Sequence, residues 1–177
     1  AIEMSHASGT LDSDETALLR NIMRFSKKTA QSVMIPRKDI VALEHGTSIS
    51  DAISFFKKHR EVRVPVYSGD LDSIVGILDS RYLLPYIHGL KKASTINRLL
   101  LEVCHFPASR DLASLVNDFL KKRIQMAVVV DEYGGTMGIV TLSAIIAEVM
   151  GDEFMLSNEE QRASIRKTDT GTVISGD

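Results

Sequence analysis

Residues 126–141 read MAVVVDEYGGTMGIVT, and this stretch decides the fold. Met126 to Val130 is an apolar, β-branched run of strand length, followed by a polar turn, Asp131 to Gly135. A second short run, Met137 to Val140, closes on Thr141. Two buried-type strands around a glycine-bearing turn predict a hairpin or a closely connected strand pair. Thr141 then opens a helical pattern through Leu142, Ile145, Ile146, Val149 and Met150, stopped by Gly151. The second strand therefore delivers Thr141 to a strand-to-helix junction, a common place for a ligand site.

Working outward, the same grammar occurs earlier. Asp39 to Leu43 reads as a strand, and Ser48 or Ser50 caps a helix with Ile49, Ala52, Ile53, Phe55 and Phe56 on one face. Strands over Arg63–Tyr67 and Ile74–Leu78 flank a Gly69–Asp70 turn, and a helix runs from Arg81 to Gly89. The later copy begins with a strand over Val103–Phe106 and a helix capped by Ser109 or Asp111. Phe56 aligns with Phe119, Val66 with Val129 and Gly76 with Gly138, at spacings of 63, 63 and 62 residues. Self-similarity at a fixed spacing implies two structural copies. Each β-α-β-β-α unit is too small to cover both faces of its sheet, so the copies should pack sheet against sheet. The expected class is α/β (α+β), two such repeats with an N-terminal helix that begins near Asp12 or Ser13.

The chain has 177 residues and 44 % hydrophobic residues, enough for a core. Its net charge of −2, and lysine pairs such as Lys57–Lys58 and Lys121–Lys122 at helix ends, give no nucleic-acid footprint. One cysteine, Cys104, excludes an intrachain disulfide framework and reads as a buried, inert thiol. No apolar run approaches the roughly 18–20 residues that span a bilayer, so the piece reads as soluble. The five histidines lack i, i+4 partners, Asp131–Glu132 reads as a solvated turn, and neither a catalytic triad nor a P-loop is present. The expectation is that the chain is not an enzyme.

These residues resemble a known pattern. Met34–Ile35–Pro36–Arg37, the run Arg63–Val64–Pro65–Val66–Tyr67, Asp72 to Leu78, and Ala127 to Gly135 with Gly138 to Thr141 are similar, in order, to the tandem CBS domain pair of the hemolysin-like, CorC-type magnesium and cobalt efflux family. The resemblance covers about Leu11 to Gly151. It implies a linker and helix over 1–32, a first CBS repeat over 33–95, a second over 96–152, and from 153 a linker with the truncated start of a C-terminal transporter-associated domain. It also implies a regulatory module of a membrane ion transporter, on the cytoplasmic side of the inner or plasma membrane. Its partners would be a second copy, as a homodimer through the CBS pairs, and the membrane transport domain of the same full-length chain. The implied ligand is ATP or AMP, with Mg²⁺. Arg63, Val64 and Pro65, beside the base and phosphates, and Thr141 are the implied contacts, set against plainer roles as a surface arginine, an edge-strand proline and a helix cap.

The sequence departs from that pattern at one chemical group. The family's ribose acceptor is an Asp three residues after the strand-end hydroxyl, where a carboxylate takes two vicinal O–H groups. Ala144 stands there in the second copy and Tyr82 in the first. Losing such a contact costs about two orders of magnitude in affinity. Asp79 or Ser143 reaches the same space only from another helical face or with a shorter side chain. The alternative function is therefore a structural dimerisation module that has lost nucleotide binding.

Overall fold

The computed structural model of the chain describes residues 13–90 and 93–150. The linker expected at the N-terminus, and the linker and domain start expected from 153, lie outside the described residues. Helix α1 spans Ser13–Phe25 and α2 spans Ala30–Val33, and β1 is the two-residue strand Ile35–Pro36. The first repeat continues with β2 (Leu43–Glu44), α3 (Ile49–Lys58), β3 (Arg63–Ser68), β4 (Asp70–Asp79) and α4 (Leu84–Ile87). The second has β5 (His105–Pro107), α5 (Leu112–Lys122), β6 (Met126–Val130), β7 (Thr136–Thr141) and α6 (Leu142–Met150).

Ser48 caps α3 by accepting the Asp51 N–H at 3.1 Å, and Asp111 caps α5 by accepting the Ser114 N–H at 2.8 Å. Helix α5 ends differently from α3. Arg123 takes the left-handed conformation (φ 54°), which lets Ile124 donate its N–H to the Phe119 carbonyl at 3.1 Å. That conformation disfavours any residue with a Cβ. Arg123→Gly is expected to stabilise the chain by about 0.5–1 kcal/mol, a rise of roughly 1–3 °C in thermal midpoint by calorimetry.

Three elements differ from their sequence expectation. The strand expected over Asp39–Leu43 is displaced: Arg37–Asp39 winds into a 3₁₀ turn and pairing starts only at Leu43. Arg37 is drawn there by an ion pair with Asp72 and by donating to the Thr136 carbonyl at 3.1 Å. The helix expected from Arg81 starts as a 3₁₀ turn, Ser80–Leu83, and becomes α only where Pro85 sits in the first turn. The strand expected over Val103–Phe106 is shifted to His105–Pro107. Cys104, expected buried, is half-buried against the second repeat's core.

Two sheets form, ordered β2-β3-β4 and β1-β7-β6-β5. Each sheet lays one face on its own helices. Val64, Val66, Leu78, Ala52 and Leu83 make the first core, and Ala127, Val129, Val140, Leu115 and Phe119 the second. The opposite faces meet through Ile74, Ile77, Met126, Val128 and Ile139, so the copies pack sheet against sheet as expected. Side chains alternate along β6, Met126 and Val128 toward the other sheet, Ala127 and Val129 toward the helices.

The repeats trade their lead-in segments. β1 opens the first repeat but pairs with β7 of the second, Ile35 opposite Ile139 and Pro36 opposite Gly138. Reciprocally, Leu101, in the lead-in of the second repeat, exchanges both backbone hydrogen bonds with Ile77 of the first, at 2.8 and 3.0 Å. The trade repeats at the helix caps. Ala30 donates to the Arg110 carbonyl and Ile96 to the Thr47 carbonyl, and both side chains are fully buried in the opposite lobe. Each lobe's core is therefore completed by a residue from the other copy's lead-in.

Candidate functional site

The crossing lead-ins leave a cleft of about 330 Å³ where β3 begins and β4 ends. Arg63, Asp79, Arg81 and Tyr82 line it on the first-repeat side, with Leu101 and Glu102 from the crossing segment. Lys122, Arg123, Gln125 and Met126, at the end of α5 and the start of β6, form the far wall. That volume lies at the lower end of the range for small-molecule sites.

Asp79 organises the first-repeat wall. Its residue is fully buried, directly across the strand pair from Arg63. Arg63 Nε makes an ion pair with its Oδ2 at 2.8 Å. Arg81 grips it with Nε to Oδ1 at 2.9 Å and Nη2 to Oδ2 at 2.7 Å, and the Arg81 backbone N–H donates to Oδ1 at 3.0 Å. Burial pushes the Asp79 carboxyl up, but the Arg81 hydrogen bonds and the charges of Arg63 and Arg81 outweigh it, holding the group below the usual carboxylate range. A guanidinium carries five N–H donors in a fork. Each arginine spends one edge on Asp79, which leaves the remaining donors for whatever enters the cleft. The arrangement is a preorganised anion clamp.

The equivalent end of the second repeat carries no charge. Met126 faces Thr141 across β6 and β7, in the places that Arg63 and Asp79 occupy in the first. The Thr141 Oγ1 accepts the Ala144 N–H at 3.2 Å, capping α6, and lies 3.1 Å from Ser143 Oγ. Thr141→Val removes that cap and is expected to cost about 1 kcal/mol, a drop of roughly 2–4 °C in thermal midpoint.

The structure thus separates the residues singled out from sequence. Arg63 lines the cleft and is half-buried on Asp79, not a surface arginine. Val64 is fully buried in the first core, outside the cleft's lining, and its neighbour Pro65 is buried as well. Pro65 lies in the middle strand of a three-stranded sheet rather than on an edge. It is tolerated because Ile77 turns both its backbone groups to Leu101, so the Pro65–Ile77 pair needs no N–H from proline. Thr141 stands one strand beyond Met126 and outside the cleft's lining. Sequence reasoning missed Asp79 as the organiser, and Lys122, Arg123 and Gln125 as the far wall. The repeat alignment held the signal for Asp79, since it places a carboxylate where the second copy has Thr141.

The Asp131 turn is structured by its own side chain. Oδ1 accepts the N–H groups of Tyr133 at 2.9 Å and Gly135 at 2.8 Å, with Gly134 at φ 84°. Among the described residues, no group of three or more His, Cys, Asp or Glu side chains could hold a metal ion, and no helix is long and apolar enough to cross a membrane.

Comparison with known proteins places this geometry. The CBS domain family model matches residues 31–89 and 102–151. The UPF0053 protein YhdP of Bacillus subtilis is 34% identical over 175 residues, 96% of this chain and 39% of its own length. The magnesium and cobalt efflux protein CorC of Vibrio cholerae is 30% identical over 162 residues, 91% of this chain and 56% of its own. This chain therefore spans between two fifths and three fifths of those relatives. Among solved structures, a CBS domain of the bacterial CNNM/CorC family Mg²⁺ transporter, bound to an inhibitor, superposes with a TM-score of 0.79 at 30% identity, covering 85% of this chain and 93% of that one. A CBS domain of the same transporter family in complex with ATP gives 0.71 at 32% identity, covering 76% and 95%.

Proposed function

Because the chain belongs to the CBS domain family, as a tandem pair of the CNNM/CorC transporter type, we propose that it is the regulatory module of a membrane ion transporter and reads an adenosine nucleotide in the Arg63–Asp79–Arg81 cleft. The observation that carries this is the pair of guanidiniums fixed on a buried carboxylate at the mouth of a cleft of about 330 Å³. A CBS domain of the same transporter family binds ATP. Arg63 and Arg81 take the phosphates, buried Val64 and Pro65 anchor the start of β3 that carries Arg63, and Thr141 belongs to the neutral second strand end. The module sits on the cytoplasmic side of the membrane, joined to a transport domain in the same full-length chain. Two copies meet through exposed apolar positions of α4 and α6, Leu84, Ile87 and Ile146. Ligand binding then shifts the dimer between two arrangements, which requires only that the ligand bind one arrangement better.

A second reading has its own support. Tyr82 and Ala144 occupy the ribose-acceptor positions, and the Thr141 hydroxyl is committed to capping α6. This favours a dimerisation module whose clefts no longer bind nucleotide. Calorimetric titration of ATP, ADP and AMP, with and without Mg²⁺, separates the two. Saturable micromolar heat that is lost in Arg81→Gln supports the sensor. No heat up to millimolar nucleotide leaves the dimerisation module, and sedimentation as a monomer at high micromolar concentration sinks that as well.

A further inference from the structure

The cleft's charges are unequal. Four cationic side chains line it, Arg63, Arg81, Lys122 and Arg123, against the carboxylates of Asp79 and Glu102. Asp79 accepts an ion pair from Arg63 and three hydrogen bonds from Arg81, so it has no capacity left for a ligand hydroxyl. Glu102 is exposed on the crossing segment, and no described residue hydrogen-bonds or ion-pairs with it to fix its carboxylate. Strong, charge-assisted recognition of a vicinal diol takes a carboxylate held in place with both oxygens open. The cleft has none, but it has cations on two facing walls, one pair oriented by Asp79 and one pair at the C-terminal end of α5. Two facing cationic walls suit a ligand with several adjacent negative charges rather than a single phosphate.

Resting on the nucleotide reading above, we propose that this cleft selects its ligand by a polyphosphate chain and is indifferent to the ribose hydroxyls. Arg63 and Arg81 grip one phosphate with their outward N–H groups, and Lys122 and Arg123 neutralise the rest of the chain from the opposite wall. The sugar contributes nothing to the discrimination, so 2′-deoxyATP and ATP are equivalent ligands and inorganic tripolyphosphate competes with both.

Calorimetric titration of the chain with ATP, 2′-deoxyATP, inorganic tripolyphosphate and adenosine tests this. The expected result is ATP and 2′-deoxyATP within twofold of each other, tripolyphosphate saturable and competitive with ATP, and adenosine at least a hundredfold weaker. The Lys122→Gln/Arg123→Gly variant leaves the Asp79 contacts intact and should weaken tripolyphosphate about tenfold without lowering the thermal midpoint. A preference of tenfold or more for ATP over 2′-deoxyATP, abolished by Glu102→Gln, overturns the proposal by making Glu102 the sugar reader. Adenosine binding as tightly as ATP overturns it while leaving a nucleoside sensor. Tripolyphosphate binding without ATP binding keeps the polyphosphate site and removes the adenosine reading. Silence from all four ligands removes both.

Discussion

Gly138→Ala is expected to destabilise the chain by about 3 kcal/mol in chemical denaturation, a large effect for one methyl group. Gly138 needs no unusual backbone angle. A Cβ there would overlap the Ile35 carbonyl oxygen and stand 2.9 Å from Met34 Sδ, so β1 would be lifted off β7. A backbone carbonyl of the crossing segment cannot yield as a flexible side chain can. Gly76 holds the equivalent place in the first repeat, with Leu100 Cβ at 2.8 Å and the Leu101 carbonyl oxygen at 3.0 Å, and Gly76→Ala should follow at about 2 kcal/mol. Gly46→Ala is the contrast: it has φ 90° but open space around it, so backbone strain alone should cost only about 1 kcal/mol. If Gly138→Ala costs no more than Gly46→Ala, the tight crossing of the lead-ins is wrong.

Asp79→Ala is expected to cost about 2–3 kcal/mol, because it removes the carboxylate that joins the first residue of β3 to the last of β4 and caps the following turn. The cost stays at the lower end of that for breaking a buried pair, since the Arg81 side chain is 67 % exposed and remains hydrated when abandoned. Acid titration separates charge from packing. The Asp79 carboxyl is held below its ordinary value in the folded chain, so its contribution is complete above the unfolded-state pKa of about 4 and is lost as pH falls through the folded-state value. Asp79→Asn should therefore be less stable than the parent at pH 7, with the gap closing toward low pH. A gap that stays constant with pH would mean that the carboxylate's charge contributes nothing.

How much of this was legible follows from which interactions are local. The β6–β7 hairpin, the caps at Ser48 and Asp111 and the internal repeat all rest on short-range patterns, and the sequence displays them directly. The trade of lead-in segments does not. Ile35–Pro36 forms an extended pair whichever sheet it joins, and its choice of β7 rests on Gly138 admitting the Ile35 carbonyl, a contact across more than a hundred residues. Pro65 points to an edge strand by its missing N–H, and only the Ile77–Leu101 exchange explains its place in the middle of a sheet. At the site, Arg63 was legible through its neighbours Val64 and Pro65. Asp79 was legible only as a carboxylate aligned with Thr141 of the second copy, because nothing in its spacing shows that two arginines converge on it. Lys122 read as a helix-end cation, which it is, Arg123 drew no reading, and both became cleft residues only through the fold.

The central claim is that ligand recognition sits at the charged strand end of the first repeat and not at the neutral end of the second. Backbone amide shifts of the ¹⁵N-labelled chain during ATP titration test it most directly. The account predicts concentration-dependent shifts at Arg81, Tyr82, Arg123 and Gln125, with Thr141, Ser143 and Ala144 unmoved. Shifts confined to Thr141, Ser143 and Ala144, or none anywhere at millimolar ATP, would contradict it.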